Sequence, residues 1–254
     1  IMRLLTLVLL LFSANFVAES SSPCGNYIGD DLDHIGTCDD AQVDATDIAY
    51  LQRGAQLYMN YCLGCHSLKY SRYKRVAEDL DIPLELFKEN LIFGDQKLGD
   101  LITIGMEPKE AKAWFGNTPP DLTLEAGLRG PDWIYTYLRS FYTDESTTTG
   151  WNNALFSNVA MPHVLYQWQG ARSATFEGGG VADVSSVRYQ SVVPGTMTGR
   201  EYDAAIRDLT NFMVYLAEPA KLVRYEIGFW VMLFMGVFIF LAYLLKKEYW
   251  RDVH

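Results

Sequence analysis

Tyr61-Cys62-Leu63-Gly64-Cys65-His66-Ser67 decides how the rest of this chain reads. Two cysteines separated by two residues and followed at once by histidine form C-x-x-C-H, the attachment signature of a c-type haem. The spacing follows from the chemistry. Each thiol adds to one vinyl group of the porphyrin, and two intervening residues let one helical turn set both sulfurs along the same ring edge. His66 then lies beneath the ring, where an imidazole nitrogen binds iron. Two other chemistries use paired cysteines. A zinc site needs a second close pair of ligands, but Cys24 and Cys38, the remaining cysteines, lack the C-x₂₋₄-C spacing. A thioredoxin-like redox pair sits in a βαβ pattern, which the sequence does not show.

Upstream of the motif, Asp47 or Thr46 can cap a helix in which Ile48, Leu51, Ala55 and Tyr58 recur at helical spacing. Gly54 in its middle costs about 1 kcal/mol against alanine, which points to close packing against another helix. Downstream, Leu84 to Phe93 reads as a short helix between Pro83 and Gly94, and Leu101–Met106 and Pro108–Trp114 as further short helices. The loop from Phe115 to Leu122 is stiffened by Pro119 and Pro120, an apolar wall suited to a haem edge or simply a rigid turn. Asp132 to Tyr142 reads as a helix with Trp133, Tyr137, Leu138 and Phe141 on one face and Pro131 in its first turn. Residues 143–200 show little periodicity; the runs Val164–Gln167 and Val187–Val193 are candidates for a hairpin. Helix returns from Glu201 to Ala217, with Ala205, Leu209, Phe212 and Leu216 on one face, and Glu218-Pro219 ends it. The fold class is therefore mainly α: a c-type cytochrome domain with long irregular loops plus one C-terminal transmembrane helix.

That last helix is the clearest element. Ile227 to Leu245 carries no charge, and at about 1.5 Å per residue it approaches the roughly 30 Å of a bilayer core. Tyr225 and Trp230 mark one end, and Tyr243, Tyr249 and Trp250 the other, as interfacial aromatics do. Lys246, Lys247 and Arg251 follow, so the positive-inside rule sets the C-terminus in the cytoplasm or its organellar equivalent. At the other end, Met2-Arg3, the apolar Leu4–Phe12 and the small residues to Ala18 have the form of an export signal, with cleavage after Ala18 or Ala14; retention as an anchor is the alternative. Ile1 ahead of Met2 suggests that the chain starts at Met2. The expected organisation is a signal segment over 1–18, a periplasmic haem domain over 19–224, a transmembrane helix over 225–246 and a cytoplasmic tail over 247–254, in the cytoplasmic membrane. Export also favours a disulfide between Cys24 and Cys38.

The net charge of −10 argues against nucleic acid and anionic lipid; it suits a basic partner, or solubility alone. Residues 19–47 hold much of it and read as an extended acidic surface, with His34 an exposed side chain. A haem on His66 needs either an open site, suited to ligand binding, or a second axial ligand such as methionine, suited to electron transfer. Among eight methionines, Met161 and Met197 lie in irregular loops and are equal candidates. Met59 and Met106 fall on helical patterns and read as core. His163, two residues from Met161 and next to a proline, is a third candidate that reads more readily as a surface group.

The ordered set of motifs resembles the cytochrome c1 family, the haem subunits of cytochrome bc1 complexes (ubiquinol–cytochrome c reductases), in a proteobacterial form. The resemblance covers residues 48–250 and rests on Leu51-Gln52-Arg53-Gly54-Ala55, Asn60 to Leu68, Pro119-Pro120-Asp121-Leu122, Asp132 to Leu138, Ala160-Met161-Pro162 and Ala217-Glu218-Pro219. It implies one covalently attached haem c on Cys62 and Cys65, His66 and Met161 as the axial ligands of iron, Arg129 on a haem propionate, and Pro120 at the haem wall. Gly127 stands where the family often has a second arginine, and the Cys24–Cys38 loop is outside the pattern. The implied function is electron transfer within the oxidoreductase, the chain being a carrier. It would take an electron from the Rieske iron–sulfur protein and give it to cytochrome c, with cytochrome b as a further partner in a dimeric complex. A membrane-anchored cytochrome serving another oxidase or dehydrogenase, and a haem-based ligand sensor, are the alternatives.

Overall fold

Two helices crossing almost backbone to backbone set the frame on which the motif sits. The computed structural model describes residues 38–176 and 187–252; the expectations for the signal segment, Cys24 and His34 lie outside them. Helix α1 (Ile48–Tyr61) starts where the Asp47 carboxylate accepts the N–H groups of Ala49 (2.9 Å) and Tyr50 (3.4 Å), offsetting donors that a helix start leaves unpaired. Leu51, Gly54, Ala55 and Tyr58 form its buried face. Helix α8 (Gly199–Ala217) starts in a capping box, Thr198 with Glu201, two residues ahead of the boundary read from periodicity. A Cβ on Gly54 would fall 2.1 Å from the Asp208 carbonyl oxygen and 2.7 Å from the Phe212 Cβ. Only glycine allows this approach. Beside the crossing, Arg53 grips the largely buried Asp208 with two bonds (2.5 and 3.1 Å), and Tyr58 packs on Phe212.

Between these helices in sequence run short elements. Strand β1 (Leu68–Arg72) leads to α2 (Tyr73–Asp79) and α3 (Leu84–Leu91). Leu101 to Met106 is not the expected helix. It holds β2 (Leu101–Ile102), paired antiparallel with β1, and then irregular chain in which Met106 is half-buried rather than core. Burial here alternates, with Ile102 inside, Thr103 outside and Ile104 half inside, which is the period of a strand. Helix α4 (Pro108–Phe115) begins on its proline and closes at Gly116, whose φ of 80° is left-handed. A short α5 (Glu125–Arg129), unmarked by any periodic signal, precedes α6 (Pro131–Arg139).

Helix α6 ends earlier than the apolar spacing implies. The Ser140 hydroxyl donates to the Thr136 carbonyl (2.6 Å), and the chain turns into β3 (Phe141–Thr143), antiparallel to β4 (Trp151–Asn153). Phe141 is buried from a strand, not from a helix. The expected hairpin is half right. β6 (Val187–Pro194) pairs with β5 (Gly170–Phe176), whereas Val164–Gln167 runs into the short helix α7 (Tyr166–Gln169). Ala171-Arg172-Ser173-Ala174 has no apolar alternation, so backbone pairing forms this strand without a sequence signal.

The core joins α1, α6 and α8 through Leu51, Tyr58, Tyr135, Ile206, Leu209 and Phe212. Ala205, expected on the core face of α8, is half-buried, and Ile206 is fully inside. Helix α9 (Lys221–Tyr249) has no buried residue and is long and apolar enough to cross a membrane. With nine helices among the described residues, the mainly α reading stands.

Candidate haem site

The motif is the continuation of α1. The Cys62 N–H donates to the Tyr58 carbonyl (2.9 Å), and the N–H groups of Cys65 (3.0 Å) and His66 (2.9 Å) both donate to the Cys62 carbonyl. The C-x-x-C-H residues thus make one further tight turn on the helix end, with neither thiol in a disulfide. Burial pushes the Cys62 thiol up to about 12 and raises that of Cys65. Among the described residues, no group of three or more His, Cys, Asp or Glu side chains is placed to hold a metal ion.

His66 is held at both ends. The Tyr58 hydroxyl donates to its carbonyl (3.0 Å), and its Nδ1 lies 2.8 Å from the Pro120 carbonyl oxygen. A carbonyl only accepts, so Nδ1 carries the proton and the lone pair is on Nε2. Burial lowers the imidazole pKa, with the Pro120 contact and the carboxylates of Glu125 and Asp121 partly opposing it. A neutral ring with a lone pair on Nε2 is the species that binds iron.

The proline loop is stitched to the motif in the same way. The Leu122 N–H donates to the Ser67 carbonyl (3.1 Å), the Ile104 N–H to the Ser67 hydroxyl (3.0 Å) and the Lys69 N–H to the Asp121 carboxylate (2.8 Å). Pro120 therefore has a more specific part than an apolar wall, since its carbonyl orients the imidazole. No side-chain pattern signals a backbone acceptor. The Pro119-Pro120 pair, which stiffens the loop, is the only trace of it in the sequence.

Met161 lies half-buried between β4 and α7. The chain leading to it is tied down by asparagines: Asn153 Oδ1 accepts from Leu155 and Phe156 N–H, and Asn152 Oδ1 from Asn158 N–H. Asn153 Nδ2 also donates to the Tyr137 carbonyl (2.8 Å), and the Tyr137 hydroxyl donates to Met161 Sδ (3.5 Å). Burial raises the Tyr137 phenol above its usual range, so it stays a donor.

Arg129 sits between the two halves. Its guanidinium pairs with Glu125 and lies over the Trp133 ring, 4.2 Å from the centroid; Trp133 stacks on Tyr137 at 4.9 Å. Glu125 acts electrostatically on His66. A continuous set of contacts thus runs from Glu125 through Arg129, Trp133 and Tyr137 to Met161. Met197 has other company. It lines a cavity of about 480 Å³ together with Arg139, Arg172, Tyr189 and Tyr202 and packs against the core.

His163 is buried, against the surface position expected from its neighbouring proline. Its ring stacks on Phe141 (4.8 Å, 3° between planes) and meets the edge of Trp151 (5.2 Å). Burial holds it down to about 4, hence neutral. Sequence reasoning missed this because the covering strands β3 and β4 have no periodic signal. Cys38 is disulfide-bonded.

A family model described as the Cytochrome C1 family matches residues 39–253. The chain is 51% identical over 218 residues to cytochrome c1 of Allochromatium vinosum, covering 84% of this chain and 88% of that one. It is 44% identical, end to end in both chains, to a protein named ammonia monooxygenase gamma subunit in Nitrosomonas europaea. Cytochrome c1 of Rhodospirillum rubrum is 26% identical over 82% of this chain and 83% of its own.

Proposed function

The chain belongs to the cytochrome c1 family, the haem subunits of cytochrome bc1 complexes carrying one covalent haem c, and from that premise we propose that it passes single electrons from a Rieske iron–sulfur protein to a cytochrome c. Cytochrome b is the further partner, in a complex that is dimeric. The Nitrosomonas relative, despite its name, aligns over its whole length with this chain and is read as the same kind of carrier.

Cys62 and Cys65 would hold the haem, and His66 Nε2 and Met161 Sδ would be the protein's ligands to its iron. The observation that carries this is the His66 Nδ1 contact with Pro120, which leaves Nε2 free at the end of a C-x-x-C-H turn. When bound, the haem supplies a one-electron couple. The protein's part is to orient the imidazole, present the thioether, exclude water with the Trp133, Tyr137 and Phe141 rings, and set the potential. Arg129, close to both halves of the site, pairs with a propionate; its Glu125 partner is then shared. Helix α9 anchors the haem domain on the periplasmic side of the cytoplasmic membrane, with Lys246, Lys247 and Arg251 inside.

The test is Met161→Leu. We expect a lower reduction potential and new binding of carbon monoxide, with Met197→Leu unaffected. If Met197→Leu produced those changes and Met161→Leu did not, the ligand assignment would be wrong.

A further inference from the structure

We propose that Tyr137 is a positioning residue that raises the haem reduction potential by holding one lone pair of the Met161 sulfur. This deepens the assignment of Met161 as axial ligand and rests on it. A thioether sulfur has two lone pairs and is a weak hydrogen-bond acceptor. With one directed at iron, the other is available to a donor, and the Tyr137 hydroxyl is the donor found there, 3.5 Å from Sδ. Donation draws electron density from the sulfur and weakens it as a ligand. Ferric iron depends on ligand donation more than ferrous iron does, so the reduced state gains. Hydrogen bonding to a ligand is one of the protein's standing means of shifting a haem potential.

The hydroxyl is aimed, not merely near. The Tyr137 ring is stacked on Trp133 (4.9 Å, 10°) and met by the edge of Phe141 (5.2 Å, 71°). The Arg129 guanidinium covers Trp133. The Tyr137 carbonyl accepts from Asn153 Nδ2 (2.8 Å), and Asn153 also organises the first turn of the chain leading to Met161. One residue of α6 therefore fixes the methionine loop through its backbone and contacts the sulfur through its side chain. Aromatic packing limits the ring to small motions, so the hydrogen bond persists without a separate entropic cost at each reduction.

Tyr137→Phe removes the oxygen and keeps the ring. In the purified haem-loaded membrane protein, redox titration should give a lower potential than the parent. The charge-transfer absorption between methionine sulfur and ferric iron should shift as well. Tyr142→Phe, which removes the phenol of a β3 residue that packs on Phe176 rather than on Tyr137 or Met161, should leave the potential in place. An unchanged potential and band in Tyr137→Phe, or an equal fall in both variants, overturns the proposal while Met161 stands. A charge-transfer band that is absent from the parent protein, or that survives Met161→Leu, overturns the ligand assignment and the proposal together.

Discussion

Replacing Gly54 by alanine probes the α1–α8 crossing on which the motif is mounted. The new Cβ would stand 2.1 Å from the Asp208 carbonyl oxygen, 2.8 Å from its carbon and 2.7 Å from the Phe212 Cβ. Ordinary contact starts at 3.4 Å, so the nearest atom must retreat by about 1.3 Å. Two of the three atoms are helix backbone, which cannot swing aside as a side-chain tip does. The helices must part, loosening the packing of Tyr58 on Phe212 and the Arg53–Asp208 pair. Overpacking a tight core costs about 1–3 kcal/mol, and a backbone clash belongs at the upper end. Alanine recovers about 1 kcal/mol of helix propensity, leaving a net loss of about 2 kcal/mol. For a protein of this size that lowers Tm by about 4–8 °C. Thermal unfolding of the detergent-solubilised protein, followed by far-ultraviolet circular dichroism, measures it. An unchanged or raised Tm would refute the close-approach argument and return Gly54 to a mere weak spot in a helix. Gly127→Ala in α5 is the counterpart. Its Cβ meets Ala217 at an ordinary 3.5 Å, so Tm should hold or rise.

Other outcomes follow from single contacts. Arg53→Ala strips a largely buried Asp208 of a two-point partner and should destabilise by about 1–3 kcal/mol; denaturation midpoints equal to the parent would show that water replaces the guanidinium. The Glu201 carboxyl is held below its usual range by the Thr198 N–H and hydroxyl. Its contribution is therefore present above its ordinary value of 4.5 and is lost as pH falls through the lowered one. Glu201→Gln should flatten that acid limb in Tm-versus-pH curves, and an identical slope would remove the capping box as its source. A chain ended after Pro219 should leave the membrane pellet, since α9 has no buried residue; persistence in the pellet would mean that the haem domain binds membranes by itself. With a net charge of −10, reduction of a basic cytochrome c should slow as salt rises, and a salt-independent rate would exclude charge-guided docking.

The features legible in the sequence are those written in short-range spacing. Cys62, Cys65 and His66 declare their chemistry because one helical turn must present all three, and Ile227–Leu245 declares itself because a bilayer core demands an uncharged run. Helices α1, α6 and α8 could be placed from apolar periodicity, with ends shifted by caps such as Thr198 and Ser140. Strand β5 could not, because Ala171 to Ala174 pairs through backbone alone. The choice between Met161 and Met197 is also silent locally: both are loop methionines, and residue-level reasoning left them equal until the family motifs were considered.

By itself, then, the sequence determined the cofactor chemistry, the likeness to a family and the membrane-length helix, since each depends on residues close along the chain. Only the tertiary structure decided that Pro120 offers its carbonyl to His66, that His163 is buried, and that Tyr137 points its hydroxyl at Met161. These contacts join positions 54, 22 and 24 residues apart, and no local pattern sets which distant groups meet. Packing does, and it returns the argument to Tyr61–Ser67. That turn supplies the thiols and the imidazole, but the Pro120 loop sets the tautomer that leaves the lone pair on Nε2.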